Sequence, residues 1–378
     1  VTQGTPLEAE KNPHSLIGPY LSGKESLKVR SRATEKDMFE NGSIRIKTKP
    51  FYTVKALDVS IPKGRMIAVT GVSGSGKTSL AIECLVPALQ AVIQGTKLPE
   101  HVDSIEAKGI QSVKVIDSKP IGANVRSTVA TYDGVFDDLR KLFARTADAK
   151  AKGLTAGDFS YNTGKLRCPV CDGTGIITMD VQFLPDVDTI CPSCGGSRYG
   201  KDAYDILWKS KEKDSVSVSL PGLLKLTVEE AAGILHEETK IAKQLKILQD
   251  LGVCYLTLGE ATPALSGGEA QRLKLAYEME TPQQGSVFVF DEPTIGLHPQ
   301  DVKKLVLIFD HLIQLGATVI VIEHDLELVT NCDYIIDMGP WGGTEGGRVV
   351  VEGTPEAVAA TSESITGRYL KQELAEDK

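Results

Sequence analysis

A glycine-rich segment followed by a lysine and a hydroxyl residue offers the clearest chemistry in the sequence. Residues 71–78 read GVSGSGKT and fit the phosphate-binding pattern G-x-x-x-x-G-K-[ST], between an apolar run and a helix-like stretch. Glycines let backbone N–H groups surround phosphates at the positive end of the helix dipole. We expect Lys77 to reach the β- and γ-phosphates and Thr78 to bind Mg²⁺. The residues predicted to bind nucleotide here are Gly71, Ser73, Gly74, Ser75, Gly76, Lys77, Thr78 and Ser79.

Two further stretches end in side chains that suit nucleotide hydrolysis. The apolar run SVFVF precedes Asp291 and Glu292, and the run TVIVI precedes a glutamate and His324. In an open α/β sheet, the carboxyl ends of the strands face the ligand crevice. We expect Asp291 to hold Mg²⁺, Glu292 to act as the general base and His324 to contact the γ-phosphate.

Four of the seven cysteines form two Cys-x-x-Cys pairs, and nineteen residues separate the pairs. This spacing is typical of a tetrahedral zinc site, and four thiolates would make that site structural rather than catalytic. An iron–sulfur cluster and redox pairs are the alternatives. We expect the other three cysteines to be buried and reduced in a cytoplasmic protein. The predicted zinc ligands are Cys168, Cys171, Cys191 and Cys194.

Residues 265–272 read LSGGEAQR and stand just before a helical stretch. A serine and two glycines at a helix N-terminus make a seat for an anion. The segment resembles the signature of the ATP-binding cassette (ABC) superfamily, in which the signature of one cassette closes over the ATP held by another. The resemblance implies that Ser266, Gly267 and Gly268 serve a nucleotide bound by a second cassette.

The composition is typical of an ordinary globular chain of two or three domains. The 378 residues are 41% hydrophobic and 24% charged, with a net charge of −8 and a pI near 5.4. This balance argues against a uniformly basic nucleic-acid binder but allows a local basic patch. No apolar run approaches the ~18–20 residues of a membrane helix, and the N-terminus has no signal-peptide pattern. We therefore expect a cytoplasmic protein with no membrane partner.

An internal repeat links the two ends of the sequence. Residues 1–21 and 350–370 align without gaps, and eight of the 21 positions are identical, including Gly-Thr-Pro and the final Tyr-Leu. A coincidental small motif is the alternative explanation. We expect residues 1–21 to be the tail of an upstream copy of the cassette, which precedes Val1 in a longer protein.

The spacing of apolar residues predicts an α/β fold, with a P-loop ATPase core of the ABC type, a helical signature insertion and a four-cysteine zinc module. From Ser43 the pattern SIRIKTKP (residues 43–50) alternates as a strand, whereas residues 134–150, 227–251 and 301–315 have helical spacing. Continuous apolar runs on either side of the last helix predict a βαβ unit with buried parallel strands. The predicted domains are residues 1–21, a tail of a preceding cassette; 22–43, a linker; 44–115, the first part of the ATP-binding core; 116–264, the insertion with its zinc module at 160–205; and 265–378, the rest of the core.

Several segments together resemble the C-terminal half of the UvrA family, the damage-sensing ATPases of bacterial nucleotide excision repair. Besides the P-loop and the signature, they are FSYNTGKLRCPVC, DVQFLPD, CPSCGGSRY, DEPTIGLH and VIEHD. The resemblance covers nearly the whole chain. It implies ATP hydrolysis, binding of double-stranded DNA, recognition of lesions within the SOS response and transfer of the site to UvrB, whose docking surface lies on the first cassette.

Basic residues near the cysteines and near residues 119–127 are candidate DNA contacts. The resemblance implies a DNA surface at KPIGANVRS. The basic side chains beside the cysteines suit a hairpin that is held by zinc and contacts a phosphate backbone. A solvated basic rim is an equal alternative for the latter. The candidate DNA contacts are Lys119, Arg126, Lys165, Arg167, Arg198 and Lys201.

The sequence differs from the family pattern near the nucleotide site and in the implied DNA surface, so functions other than DNA repair stay open. The family has a glutamine where Ser118 stands, and its segment after Pro-Ile-Gly is more basic. Tyr52 stands where ABC proteins often stack adenine, although a strand-surface tyrosine is the alternative. The chain could be a UvrA-like paralogue for resistance to DNA-binding antibiotics, or the ATPase subunit of an ABC transporter. The missing cassette could be the upstream half of the protein or a homodimer mate.

Overall fold

The computed structural model describes residues 3–22, 29–122, 124–179, 187–210, 216–279 and 281–376. Its strands are β1 (Ser43–Thr48), β2 (Asp58–Pro62), β3 (Met66–Gly71), β4 (Val102–Glu106), β5 (Ser112–Ile116), β6 (Ile176–Met179), β7 (Val187–Ile190), β8 (Leu207–Lys209), β9 (Ser217–Ser219), β10 (Ser286–Asp291), β11 (Thr318–Ile322), β12 (Tyr334–Gly339) and β13 (Arg348–Gly353). Its α-helices are α1 (Pro6–Lys11), α2 (Gly18–Leu21), α3 (Val86–Gln94), α4 (Val129–Tyr132), α5 (Val135–Ala144), α6 (Ala147–Ala151), α7 (Leu220–Leu224), α8 (Val228–Ile234), α9 (Thr239–Asp250), α10 (Gly267–Met279), α11 (Pro299–Gln314), α12 (Leu326–Thr330), α13 (Pro355–Ala360) and α14 (Ile365–Glu376). Within the described ranges, none of the helices combines the length and the apolar character that a bilayer crossing needs.

The chain divides into two compact units. The first joins Val1–Ser118 to Thr281–Lys378, and the second is Lys119–Glu280. The insertion therefore begins close to the predicted residue 116. The signature at 265–272, which the domain prediction assigned to the core, belongs to the second unit together with α10.

A six-stranded sheet forms the centre of the first unit. Its order is β13-β12-β3-β11-β10-β5, and all neighbouring pairs are parallel except β12 with β13. The runs MIAVT, SVFVF and TVIVI are buried along their whole length in β3, β10 and β11. Continuous apolar strands of this kind are typical of parallel sheets covered on both faces. The predicted βαβ unit is confirmed, with α11 between β10 and β11.

A second, antiparallel sheet covers part of the same core. Its order is β2-β1-β4, and the alternating pattern predicted for β1 buries Ile44 and Ile46 completely. These side chains belong to one apolar cluster with residues of β3 and of the helix that follows the P-loop. The predicted α/β class of the core is thus confirmed, with an insertion that begins after β5.

A buried carboxylate anchors part of the predicted linker to this core. Asp333 accepts hydrogen bonds from the backbone N–H groups of Ala33 and Met66, at 2.7 and 2.8 Å, and lies 3.1 Å from the guanidinium of Arg30. The side chain of Arg30 is only 5% exposed and donates to Asp310 at 2.9 Å. Residues 23–28 of the predicted linker lie outside the described residues.

The second unit combines short helices with two small hairpins. The helical prediction for 134–150 corresponds to α5 and α6, which are separated where Thr146 caps the second helix. The prediction for 227–251 corresponds to α8 and α9. The hairpin expected between the cysteine pairs is confirmed as β6 and β7, while its connection, residues 180–186 with the motif DVQFLPD, lies outside the described residues.

The two copies of the internal repeat share their local backbone structure. Thr5 and Thr354 both cap a helix that begins with proline, at φ −69°, ψ 161° and φ −65°, ψ 159°. Farther along, Ser15 accepts a hydrogen bond from the N–H of Gly18, as Ser364 does from Gly367. The repeat is therefore a repeat of structure as well as of sequence.

Candidate nucleotide site and zinc module

The P-loop lies directly after the buried strand β3. Gly74 and Gly76 have φ of +73° and +99°, a region that side chains other than glycine rarely enter. The ammonium of Lys77 folds back on the loop and donates to the carbonyl oxygens of Gly71 and Val72, at 2.8 and 3.1 Å. The loop thus has the curved backbone and the inward lysine that phosphate binding requires.

The electrostatic surroundings of Lys77 favour an anionic ligand. Burial lowers the pKa of its ammonium, while the negative charges of Glu292, Asp337 and Asp291 act in the opposite direction. Because burial disfavours the charged form, a phosphate at this position would stabilise the ammonium. The loop therefore fits the phosphate groups of a nucleotide.

The predicted catalytic side chains lie at the same edge of the sheet. Glu292 follows β10, and its backbone N–H donates to the carbonyl oxygen of Ile322, the last residue of β11, at 2.9 Å. The Nδ1 atom of His324 lies 3.9 Å from Oε1 of Glu292. Glu292 has φ of +47°, a strained conformation for this residue type and one that clusters at functional sites.

A buried glutamate that the sequence reasoning missed joins these two loops. Glu323 is fully buried, and its Oε1 accepts from the N–H of Thr294 at 3.0 Å and also from its hydroxyl group. Its Oε2 accepts from the N–H groups of His324 and Asp325, at 2.8 and 3.1 Å. The carboxylate therefore connects the loop after Glu292 to the loop that carries His324. In the sequence, Glu323 follows an apolar run as an exposed residue at the end of a strand would. The pattern therefore does not predict its burial.

The remaining predicted nucleotide contacts have suitable positions. Thr78 is exposed at the start of the helix after the P-loop, and Asp291 ends β10, so both can contribute oxygen ligands to a magnesium ion that accompanies the phosphates. Ser118 is exposed two residues after β5, at the carboxyl edge of the same sheet. Tyr52 is 81% exposed beside Phe51, which leaves its ring accessible to a base.

The signature segment forms the N-terminus of α10 in the second unit. Ser266 is exposed, and its hydroxyl and N–H both donate to Oε2 of Glu269, at 2.8 and 2.7 Å. The hydroxyl of Tyr255 donates to the other oxygen of Glu269 at 2.8 Å. Burial would raise the pKa of Glu269, but these donors lower it on balance. The arrangement is a capping box, and it holds Ser266 before Gly267 and Gly268.

The four predicted zinc ligands come together in the second unit. All four sulfur atoms lie within 4.8 Å of one another; the distance is 4.0 Å between Cys168 and Cys191, and 3.7 Å between Cys171 and Cys194. A tetrahedron of thiolates with Zn–S bonds of about 2.3 Å has sulfur–sulfur distances of about 3.8 Å. The four sulfur atoms are therefore grouped closely enough to fit a zinc ion.

Glycines allow the cysteine loops to turn closely against neighbouring backbone. Gly173 has φ of +79°, and a Cβ atom there would lie 1.7 Å from the carbonyl oxygen of Tyr161. The N–H of Gly175 donates to the sulfur of Cys171 at 3.3 Å. Away from this module, Cys84 and Cys332 are buried as predicted, whereas Cys254 is partly exposed.

One candidate DNA contact is not on the surface. Arg198 is only 7% exposed, its guanidinium donates to the carbonyl oxygen of Val125 at 2.9 Å, and it lies 5.2 Å from the ring centre of Tyr161. Burial lowers its pKa. Arg198 was predicted to contact DNA, but its guanidinium packs inside the module and is not available at the surface.

The other candidate DNA contacts are accessible, and three of them are paired with carboxylates. Arg126 and Arg167 lie 3.4 and 3.1 Å from the carboxylate of Asp172. Lys165 is 79% exposed and lies 3.5 Å from Asp158. Because exposed ion pairs are weak, a phosphate can compete for these side chains. Lys119 and Lys201 are also exposed.

Loss of one sulfur ligand should release the metal and loosen the module. We expect Cys171→Ser to lower bound zinc from one ion per chain to a small fraction, because a closed site needs all four thiolates. Residues 160–205 should then become sensitive to proteases. Zinc content and limited proteolysis measure both effects, with Cys254→Ser as the control. Full zinc retention by Cys171→Ser would contradict the assignment.

Comparison with known proteins finds relatives of this chain. Over 384 residues the chain is 42% identical to "UvrABC system protein A" of Staphylococcus aureus (strain COL), covering 100% of this chain and 39% of that protein. It is 41% identical over 381 residues to the protein of the same name from Bacillus subtilis (strain 168), with the same coverage of both chains. The chain thus spans about two fifths of the length of these curated relatives.

A solved structure agrees with this relationship. The chain is similar to the crystal structure of UvrA2 from Deinococcus radiodurans, with a TM-score of 0.88 and 37% identity, covering 99% of this chain and 44% of that chain. No family model matches the sequence. Over its whole length the chain is thus similar to members of the UvrA family.

Proposed function

We propose that the first unit binds Mg–ATP and hydrolyses it at the edge formed by β3, β11 and β10. The observation that carries this proposal is the meeting of three groups at the carboxyl ends of adjacent parallel strands. Lys77 follows β3, Glu292 follows β10, and the imidazole of His324 after β11 lies 3.9 Å from Glu292. P-loop ATPases need such a phosphate clamp, base and γ-phosphate contact.

The chain's own residues divide the reaction between them. Lys77 leaves the carbonyl groups that it now contacts and binds the β- and γ-phosphates, while Glu292 orients the attacking water and accepts its proton. His324 contacts the γ-phosphate, and Glu323 holds its backbone in place. Thr78 and Asp291 would hold a magnesium ion, which would neutralise part of the charge on the phosphates. The remaining P-loop residues supply N–H and hydroxyl donors.

We also propose that a second ABC cassette completes this machinery, either upstream in the same protein or in a homodimer. The signature of Ser266, Gly267 and Gly268 serves the nucleotide of that second cassette in this proposal. The repeated segment supports it, because Leu370 is fully buried whereas the corresponding Leu21 is 50% exposed. The first copy of the repeat thus has an apolar side chain to bury against a sheet like that of the first unit.

The physiological role that we propose is recognition of damaged double-stranded DNA in nucleotide excision repair, with UvrB as a partner through the other cassette. Similarity to members of the UvrA family supports this role. The exposed Lys119, Lys165 and Lys201 and the partly exposed Arg126 and Arg167 of the second unit supply candidate phosphate contacts. Lesions of varied chemistry are best detected through the deformability of the duplex rather than through base identity.

Removing the proposed base should separate binding from hydrolysis. We expect Glu292→Gln to lower kcat for ATP by about 10²–10³-fold, because the amide cannot accept the proton of the attacking water. The affinity for ATP should change little. Phosphate release and nucleotide titration measure the two quantities, with Glu106→Gln, an exposed glutamate of the same unit, as control. Hydrolysis by Glu292→Gln at the unaltered rate would exclude this residue as the base.

The DNA proposal predicts a salt-dependent affinity that the exposed lysines contribute to. With Lys165→Ala and Lys201→Ala combined, we expect about tenfold weaker binding of a duplex and a salt slope reduced by about two, one for each lost phosphate contact. Fluorescence anisotropy across a salt series, with intact and lesion-containing duplexes, measures this. The matched control is Lys246→Ala on α9, whose ammonium pairs with Asp250 at 2.8 Å. Equal affinities and slopes in all three proteins would place the DNA surface elsewhere.

A further inference from the structure

A second glycine-rich loop contacts the P-loop and is not among the residues proposed to bind or hydrolyse ATP. Residues 339–347 read GPWGGTEGG and connect β12 to β13. The N–H of Gly343 donates to the carbonyl oxygen of Gly74 at 3.1 Å, and the N–H of Gly347 donates to that of Ser75 at 3.0 Å. Two consecutive carbonyl groups of the P-loop are thus hydrogen-bonded from this loop, which we name the brace loop.

These hydrogen bonds determine which way the P-loop peptides face. In a trans peptide the C=O and N–H groups point in opposite directions. With the carbonyl of Ser75 bonded to the brace loop, the N–H of Gly76 points away from that loop. With the carbonyl of Gly74 held likewise, the N–H of Ser75 donates to the carbonyl of Val72 at 3.2 Å and closes the turn. The brace loop therefore pre-orients backbone that must donate to phosphate.

The close approach of the two loops explains the glycines of the brace loop. A Cβ atom on Gly342 would lie 2.6 Å from the carbonyl oxygen of Ser73. One on Gly347 would lie 1.6 Å from the carbonyl oxygen of Thr53, where φ is also +78°. Both distances are shorter than real carbon–oxygen contacts, so larger residues would push the loops apart. In contrast, a Cβ on Gly343 would meet no atom within 4 Å.

The brace loop also contacts the turn that carries Tyr52. The carbonyl oxygen of Gly347 accepts from the N–H of Lys55 at 2.9 Å, beside a turn closed by hydrogen bonds between Phe51 and Val54. Gly347 therefore connects the P-loop on one side with the candidate adenine contact on the other. The distance between the phosphate and base ends of the site depends on this residue.

We propose that the brace loop, residues 339–347, is a positioning element of the nucleotide site. It holds the turn of the P-loop closed through the peptide between Gly74 and Ser75, orients the N–H of Gly76 for phosphate binding and sets the spacing between the P-loop and Tyr52. The proposal rests on nucleotide binding at the P-loop, as proposed above. The brace loop touches the P-loop through backbone, so it acts by positioning and takes no part in the chemical step.

An alanine variant in the brace loop and one outside it separate collision with the P-loop from backbone strain. Gly342 has φ of −88°, which alanine adopts freely, so Gly342→Ala adds only the collision with Ser73. Gly95→Ala, at φ +67° in open space after α3, adds only strain. We expect Gly342→Ala to weaken ATP binding about tenfold or more and to raise KM more than it lowers kcat, since small misplacements of binding groups are costly. Gly95→Ala should bind ATP with nearly the unaltered affinity.

Titration calorimetry with Mg–ATP on the whole 378-residue chain gives the affinities, and hydrogen exchange of the amides of Ser75 and Gly76 gives a readout without nucleotide. Equal ATP affinity in the two variants, together with equal exchange, would overturn the proposal. If the unaltered chain binds no ATP, the proposed function fails, and faster exchange in Gly342→Ala alone still supports the brace. If Gly342→Ala does not fold, the unaltered chain decides: the amides of Gly343 and Gly347 should exchange more slowly with ATP bound, and no change would overturn the proposal.

Discussion

The register of three parallel strands is the constraint on which the candidate site depends. Asp291 of β10 lies opposite Ile322 of β11, and Ile322 lies opposite Val69 of β3. Because these residues form one row across the sheet, the segments that follow them begin side by side. Buried apolar side chains hold the register, since slipping one strand by a residue would move each of its side chains to the opposite face and disrupt the packing there. The P-loop, the carboxylates and the histidine owe their proximity to this row.

Backbone contacts then refine what the sheet brings together. Glu323 joins the loops after β10 and β11 through donors on both, and the brace loop bonds two carbonyl groups of the P-loop. In the insertion, four cysteines lie together beside two short strands that bury little apolar surface. A metal ion held by those sulfurs would stabilise a module too small for a core of its own.

The residues that do chemistry could be predicted from sequence because their spacing is local. The P-loop, the strand ends before Asp291 and His324, and the two cysteine pairs each lie within a few residues. Arg198 could not be judged, because its burial depends on packing against Tyr161, 37 residues earlier in the chain. Glu323 was missed because its contact with Thr294 joins segments 29 residues apart, and the brace loop was missed because its partners are backbone groups of the distant P-loop. Neither contact leaves a pattern in the sequence. The helical stretch predicted for residues 227–251 is divided into α8 and α9, and the spacing of apolar residues does not mark the break between them.

Two measurements test directly whether this sheet edge is a nucleotide site: the number of ATP molecules bound per chain, and the effect of replacing Lys77 on the affinity for ATP. Titration calorimetry of the chain with Mg–ATP should give one bound nucleotide per chain. Lys77→Ala should weaken that binding strongly, because it removes the cation that burial at this position leaves in need of an anionic partner. No binding by the unaltered chain, or binding that Lys77→Ala leaves unchanged, would contradict the account.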